Sequence, residues 1–283
     1  MKVRRVALQG AALLFFLCGC SGLRVFISPE DVARNLAVDN GFDKRIFHAG
    51  RFEITSFVKK ATQSKELTVY IEGDGASWPA IDVPPLDPTP RQLTVLQLAA
   101  KDRRSPLLYL GRPCQFLEKK ELQQCPVAYW SESRYASEVI TALATVITQV
   151  MRELGTTRLN LVGYSGGGTI ALYLAASRDD VVRLTTIASP LNHAIWTEYH
   201  EISSLSGSAP AFDSWEKLEK TRQFHLVGEK DKIVPPALME KMLPHGIKAV
   251  ILRDFSHECC WVRDWERLLA ETDSLSTSNW EKE

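Results

Sequence analysis

Short apolar runs alternate with longer amphipathic stretches along most of the chain. Each short run is rich in β-branched and aliphatic residues and has the length of a strand. These runs occupy residues 52–58, 67–71, 107–110, 159–162, 184–188, 224–227 and 249–252. Apolar residues recur at helical spacing in the stretches at residues 93–100, 134–154 and 169–176. Strands that alternate with helices predict a mostly parallel sheet covered by helices on both faces.

The predicted α/β domain extends over residues 51–272. Its first two strands are expected to be neighbours joined by the polar turn at residues 59–66. Residues 20–50 have a mixed composition and are interpreted as an N-terminal extension that wraps around the domain, and residues 273–283 as a polar tail.

The apolar content of 45% is ordinary for a globular protein. The formal net charge is zero, so no nucleic-acid partner is expected. The oligomeric state stays open.

Residues 1–19 have the layout of a signal peptide. A positively charged start precedes a largely apolar run at residues 6–17, which is short for a membrane span. The sequence Leu-Cys-Gly-Cys at residues 17–20 resembles a bacterial lipoprotein signal, which implies that Cys20 becomes the acylated N-terminus. By the same resemblance, Ser21 favours transport to the outer membrane, facing the periplasm, and several acyl chains give a stable anchor. The alternative is an ordinary secretory signal that is cut elsewhere.

Four cysteines lie beyond Cys20. Cys114 and Cys125 flank a charged segment, and in an oxidising envelope compartment they are expected to form a disulfide. The alternative is a pair of reduced thiols. Neither cysteine pair has the spacing of a zinc site, so we expect no metal. The sequence leaves the state of Cys259 and Cys260 open.

The motif Gly163-Tyr164-Ser165-Gly166-Gly167 lies between the fourth predicted strand and a helical pattern. This layout is typical of a nucleophile elbow, in which a serine sits on a strained strand-to-helix turn with its hydroxyl exposed. Gly163 and Gly167 have no side chains to collide across so sharp a bend. The bare motif occurs by chance in roughly one chain in ten of this length, so the remaining parts of a catalytic site have to be found elsewhere.

Polar residues follow other strands at the edge of the sheet where such sites lie. Gly73, Asp74 and Gly75 follow the second strand, where a backbone N–H of Asp74 or Gly75 and that of Gly166 would serve as an oxyanion hole. The alternatives are a glycine turn that holds Asp74 for structural reasons, or a cation loop.

An acid and a base are expected after the last two strands. Asp231 follows the strand at residues 224–227, and His257 follows the strand at 249–252. The order Ser, Asp, His matches that of a hydrolase triad. For Asp231 the alternative is a solvated loop among charged neighbours. The other histidines do not combine that order with a strand end: His48, His193, His200, His225 and His245.

With these residues in place, the chain resembles an α/β-hydrolase over about residues 51–270. Further motifs look like those of a group of proteobacterial envelope hydrolases: Gly73-Asp74-Gly75-x-x-Trp78, Arg112-Pro113-Cys114 and Leu191-x-His193-x-x-Trp196. One departure is Glu72, where many superfamily members carry histidine. The resemblance implies the α/β-hydrolase fold and acyl transfer by Ser165, His257 and Asp231 without any cofactor.

The segment at residues 189–213 lies where such folds insert a lid, and it is short. A short lid favours an esterase for small or medium acyl groups over a dedicated triglyceride lipase. Thioester, amide and peptide hydrolysis stay open, as does a non-catalytic or structural envelope lipoprotein. Four aromatic or imidazole side chains of this segment either line the pocket or anchor the segment to the body: His193, Trp196, Tyr199 and His200.

Overall fold

The structure is a computed structural model, and it describes residues 28–61, 64–76, 78–80, 83–104 and 106–274. The predicted signal at residues 1–19 and the lipidation site Cys20 lie outside the described residues, as does most of the predicted tail. Within the described ranges, no helix combines the length and the apolar composition that crossing a membrane requires.

Eight strands of the described chain form one sheet. In chain order they are β1 (Asp43–Ala49), β2 (Phe52–Lys59), β3 (Glu66–Ile71), β4 (Leu107–Leu110), β5 (Arg158–Tyr164), β6 (Val181–Ile187), β7 (Arg222–Gly228) and β8 (Val250–Leu252). Their spatial order is β1-β2-β4-β3-β5-β6-β7-β8. The β1/β2 and β2/β4 pairs are antiparallel, and every pair from β4 to β8 is parallel. The mostly parallel sheet predicted from the sequence is confirmed.

Helices cover both faces of this sheet. The α-helices are α1 (Pro29–Asp39), α2 (Thr94–Lys101), α3 (Lys119–Leu122), α4 (Ser137–Leu154), α5 (Gly166–Ala176), α6 (His193–Tyr199), α7 (Pro236–Met242) and α8 (Trp261–Ser274), and short 3-10 helices lie at Val127–Trp130 and Trp215–Leu218. Helices α4, α5 and α7 pack on one face, with Leu67, Val69 and Ile71 of β3. Helices α1, α2 and α8 pack on the other face, where Tyr70 lies. The alternating orientation of side chains along β3 thus supplies both cores.

Helix α4 follows from a regular apolar stripe. Val139, Leu143, Val146 and Val150 recur at three- and four-residue spacing and are buried. The helix ends at Gly155, which has a φ of 67° and caps it in the left-handed conformation. It begins at Ser137 rather than at the predicted residue 134, because the preceding residues form turns that place two of their side chains in the site described below.

The first strands of the sheet differ from the sequence prediction in two respects. The prediction that β2 and β3 are neighbours is wrong, because β4 lies between them. Strand β3 is joined through α2 to β4, which pairs parallel to it, and the outer edge of β4 then pairs with β2. The polar segment between β2 and β3 cannot reveal this strand order, because its length limits only how far apart the two strands lie. Strand β1 lies within the range 20–50 that was interpreted as an extension, and it forms the edge of the sheet.

The four described cysteines form two disulfides. Cys114 is bonded to Cys125, as expected, and the bond closes the loop that carries α3. Cys259 is bonded to Cys260, its neighbour in the chain. This second bond lies at the start of α8, directly after the loop that carries His257.

Candidate active site

Ser165 lies on the turn between β5 and α5. Its φ of 51° and ψ of −129° lie in a region that non-glycine residues avoid. The turn is held by two backbone hydrogen bonds. The Ser165 N–H donates to the Ile187 carbonyl at 2.8 Å, and the Gly168 N–H donates to the Ser165 carbonyl at 2.9 Å. A backbone strain of about 1–3 kcal/mol is typical of such a position and persists only where the surroundings enforce it.

The glycines of the elbow are required by close backbone contacts. A Cβ atom on Gly163 would overlap the backbone of Gly167 across the bend, as the sequence predicted. A Cβ atom on Gly167 would overlap the carbonyl groups of Ile71 and Glu72 at the end of β3. The elbow is therefore packed directly against the strand that leads to the predicted oxyanion loop.

The structure brings Ser165, His257 and Asp231 together. His257 Nε2 lies 3.2 Å from Ser165 Oγ. His257 Nδ1 lies 3.0 Å from Asp231 Oδ2 and 3.2 Å from Asp231 Oδ1. When Nδ1–H donates to the carboxylate, Nε2 is left to accept a proton from the serine hydroxyl.

Asp231 is held in a buried loop after β7. Its side chain has no exposed surface, although its sequence neighbours are charged surface residues. Its Oδ1 atom accepts hydrogen bonds from the backbone N–H groups of Ile233 and Val234, both at 2.8 Å. These donors orient the carboxylate toward His257. The sequence alternative of a solvated loop therefore applies to the charged neighbours of Asp231 and not to Asp231 itself.

Tyr164 links the elbow to the loop that carries His257. Its hydroxyl donates to the His257 carbonyl at 2.9 Å, and Trp261 Nε1 donates to the same carbonyl at 2.8 Å. The Tyr164 ring also lies 5.5 Å from the imidazole between centroids. Burial raises the pKa of the Tyr164 phenol well above its usual value, so the hydroxyl stays a donor. Sequence reasoning missed this residue, because a tyrosine within the elbow motif carries no signal of its own.

The loop after β3 uses most of its backbone groups in internal hydrogen bonds. The Gly73 N–H donates to Glu72 Oε1 at 2.9 Å, and the Gly73 carbonyl accepts from Gln115 Nε2 at 3.1 Å. The Ala76 N–H donates to the Pro88 carbonyl at 3.1 Å. Among the described residues, the N–H groups of Asp74 and Gly75 have no acceptor. The loop thus leaves free the two donors that the sequence singled out.

The Asp74 carboxylate lies beside the elbow. It accepts hydrogen bonds from Arg112 Nη1 at 3.3 Å, Arg134 Nη1 at 3.1 Å and the Tyr135 hydroxyl at 3.0 Å. A Cβ atom on Gly166 would overlap this carboxylate. Burial opposes ionisation, but the two guanidinium groups outweigh it and lower the pKa of the Asp74 carboxyl. The side chain therefore has a structural role, as one sequence alternative proposed, while the backbone N–H stays free.

Glu72 occupies the position where many superfamily members carry histidine. Its carboxyl is buried and accepts from the Tyr109 hydroxyl at 2.6 Å as well as from the Gly73 N–H. Burial raises the pKa of this carboxyl to about 7, against the effect of those two hydrogen bonds. The sequence marked Glu72 only as a departure from a pattern, and the structure shows it holding the start of the loop.

The short segment after β6 is anchored to the loop that carries Asp231. Trp196 Nε1 donates to the Ile233 carbonyl at 2.9 Å, and His200 Nε2 lies 2.8 Å from the same carbonyl. His193 Nε2 lies 2.9 Å from the Ala209 carbonyl within the segment, and Tyr199 is half-exposed. Two of the four candidate side chains, Trp196 and His200, thus anchor the segment to the body, as the second sequence alternative proposed. A cavity of about 500 Å³ is lined by residues 193–210 of this segment, and Ser165 does not line it.

The family model described as the alpha/beta hydrolase fold matches residues 111–205, a range that contains Ser165. Three features of the structure agree with this family description: the eight-stranded sheet, the elbow after β5, and the polar loops after β3, β7 and β8. The chain has the α/β-hydrolase fold. The superfamily resemblance drawn from the sequence is confirmed, whereas the narrower resemblance to proteobacterial envelope hydrolases stays a prediction. No match was found among curated protein sequences.

Several solved structures share the fold at low sequence identity. A membrane phospholipase A, described as a bacterial virulence factor, has a TM-score of 0.51 and 16% identity over 86% of this chain and 90% of its own. Est1E from Butyrivibrio proteoclasticus has a TM-score of 0.53 and 10% identity over 82% and 99%. A puromycin hydrolase has a TM-score of 0.52 and 15% identity over 83% of this chain and 40% of its own. This α/β-hydrolase fold supports hydrolase activity, and likeness at this identity does not select a substrate.

Proposed function

We propose that the protein is a serine hydrolase that cleaves an acyl ester through an acyl-enzyme. The observation that carries the proposal is the unbroken hydrogen-bonded series from Ser165 Oγ through His257 to the buried Asp231 carboxylate. Each member comes from a different loop at the carboxyl end of a strand, so chain proximity does not explain their meeting. This arrangement supports nucleophilic catalysis by a serine with a general base and an orienting acid.

In the proposed reaction, His257 Nε2 takes the Ser165 proton as Oγ attacks the acyl carbonyl carbon. The carbonyl oxygen becomes an oxyanion, which the N–H of Gly166 and that of Asp74 or Gly75 stabilise. His257 then gives its proton to the leaving alkoxide, and an acyl-Ser165 ester remains. A water molecule, deprotonated by His257, attacks this ester and releases the carboxylic acid and free Ser165.

The orientation of one peptide group favours Asp74 as the second donor. In a trans peptide the C=O and N–H groups point in opposite directions. The Gly73 carbonyl points to the buried Gln115 side chain, so the Asp74 N–H of the same peptide points away from it. The Gly73 backbone also lies next to Ser165, since a Cβ atom on Gly73 would be 3.5 Å from Ser165 Cβ.

For the substrate, the short segment after β6 supports a small or medium acyl ester. It lacks the length of an extensive cap domain, and its anchoring contacts hold it against the β7 loop. Thioester, amide and peptide hydrolysis use the same series of groups, and a non-catalytic lipoprotein is the remaining alternative. The proposed location is the cell envelope, with a lipid on Cys20 as the membrane anchor.

The experiment compares wild-type protein and Ser165→Ala, each beginning at Ser21, on p-nitrophenyl esters of graded chain length. Wild-type activity should depend on acyl length, and Ser165→Ala should lower kcat by about 10⁴-fold or more. A fluorophosphonate should label Ser165 in the wild type only. Equal activity of the two proteins, with no labelling of Ser165, would refute the proposed function. Parallel assays with thioesters and anilides decide the bond type.

The anchor has a separate test. Cells that express the full-length wild-type chain or Cys20→Ala are grown with a labelled fatty acid. The wild type should carry the label and fractionate with membranes, and Cys20→Ala should carry none. Equal incorporation into both proteins would refute lipidation at Cys20.

A further inference from the structure

Four side chains beside the elbow, three of them buried and the fourth, Asp74, 23% exposed, have no part in the mechanism above. They are the Asp74 carboxylate and its three donors, Arg112, Arg134 and Tyr135, and we call this set the Asp74 cluster. The two arginine side chains are only 4% and 9% exposed. Ion pairs that are buried to this extent carry a large desolvation cost, so their presence calls for a reason besides stability.

The cluster contacts both halves of the proposed oxyanion hole. One half is Gly166, since its Cα packs so closely on the Asp74 carboxylate that a Cβ atom would overlap it. The other half is the Asp74 backbone itself. A single residue, Asp74, therefore links the two proposed N–H donors. A displacement of about 1 Å in such a donor is enough to cost about 100-fold in rate.

The cluster is itself held by the segment after β4. Arg112 donates through Nη2 to the Arg134 carbonyl, and Arg134 Nε donates to the Ser131 carbonyl at 2.7 Å. Next to Arg112, Gln115 donates to the Gly73 carbonyl. The Cys114–Cys125 disulfide closes this segment covalently. The Arg112-Pro113-Cys114 motif thus lies where it can fix the oxyanion loop.

We propose that Arg112, Arg134 and Tyr135 are positioning residues that act through Asp74 to fix the N–H donors of the oxyanion hole. This inference rests on the proposed serine hydrolase function. It predicts a specific kinetic effect, because oxyanion contacts form in the transition state and not with the ground-state ester. Weakening the cluster should lower kcat and leave KM unchanged.

The chain offers a matched control for Tyr135. Tyr70 also donates its hydroxyl to a buried aspartate, Asp102, at 2.7 Å, and Asp102 is paired with Arg104. Both tyrosines are fully buried. Asp102 and Arg104 precede β4, which runs parallel to β3, so this pair lies at the edge of the sheet opposite to Ser165. Each Tyr→Phe change removes one hydrogen bond to an aspartate carboxylate and keeps the ring, and Tyr70→Phe also removes the acceptor of the Trp265 Nε1–H.

The experiment measures kcat, KM, fluorophosphonate labelling rate and thermal midpoint for wild type, Tyr135→Phe and Tyr70→Phe. Tyr135→Phe should lower kcat and the labelling rate by about 10-fold, with KM within about 2-fold of wild type. Tyr70→Phe should lower the thermal midpoint with kcat unchanged. Arg134→Gln should lower kcat by about 100-fold, and Arg134→Lys should recover part of that loss because it keeps the charge.

The outcomes separate this inference from the function on which it rests. An active, labelled wild type with equal kcat in Tyr135→Phe and Tyr70→Phe would overturn the positioning role alone. A rise in KM without loss of kcat would also overturn it and would indicate a role in ground-state binding. A wild type that neither hydrolyses esters nor reacts with the fluorophosphonate would overturn the proposed function and the positioning role together.

Discussion

The buried carboxyl of Glu72 makes a quantitative prediction about stability and pH. Glu72 is only 3% exposed, and its carboxyl accepts hydrogen bonds from the Tyr109 hydroxyl and the Gly73 N–H. Burial penalises the charged form by more than these donors stabilise it, so the pKa rises from 4.5 to about 7. The folded chain therefore holds this proton more tightly than the unfolded chain does.

The sign and size of the effect follow from that difference. A raised pKa in the folded state contributes stability that is fully present below about pH 4.5 and is lost as the pH rises to about 7. The interval between 4.5 and about 7, at about 1.4 kcal/mol per pH unit, corresponds to about 3 kcal/mol. Above about pH 7, Glu72 is charged in the folded protein, and the burial of this charge lowers the free energy of unfolding by about 3 kcal/mol relative to its value at low pH.

The assay compares urea unfolding of the wild type and Glu72→Gln near pH 4 and near pH 8. Glutamine is neutral at both pH values and keeps an oxygen that can accept from the Gly73 N–H. From low to high pH, the free energy of unfolding of the wild type should fall relative to that of the variant by about 3 kcal/mol. Taking the difference cancels the titration of all groups that the two proteins share. If the free energies of unfolding of the two proteins differed by the same amount near pH 4 and near pH 8, the reasoning would be refuted, and water would have to reach Glu72.

Three further changes test other parts of the site and fold. Asp231→Asn should lower kcat by about 10⁴-fold, because an amide favours the wrong tautomer of the base, and full ester hydrolysis by this variant would assign the acid to another residue. Gly166→Ala should lower kcat by about 100-fold or more, since its Cβ would displace the Asp74 carboxylate; wild-type kcat would contradict the packing of Asp74 on the elbow. Replacing both Cys114 and Cys125 by serine should lower the free energy of unfolding by about 2–3 kcal/mol in urea titrations, and an unchanged midpoint would show that the bond does not constrain the unfolded chain.

Most strands of the sheet and three of its helices could be predicted because hydrophobic periodicity is a local property. All seven predicted strands and three predicted helices appear, with shifts at their ends. The candidate site residues were also accessible from sequence. In a parallel sheet the carboxyl ends of strands share one edge, so Ser165, Asp231 and His257 were expected at the same edge of the sheet.

The contacts between distant segments could not be predicted from local patterns. The insertion of β4 between β2 and β3 depends on strand pairing, which local patterns do not encode. The Asp74 cluster and the burial of Glu72 depend on the same kind of contact. Charged residues in a sequence predict exposure, and these became buried because partners from other loops satisfied them. The Asp74 N–H has no acceptor among the described residues, and this also depends on tertiary contacts, since these determine where the backbone groups of its neighbours bond.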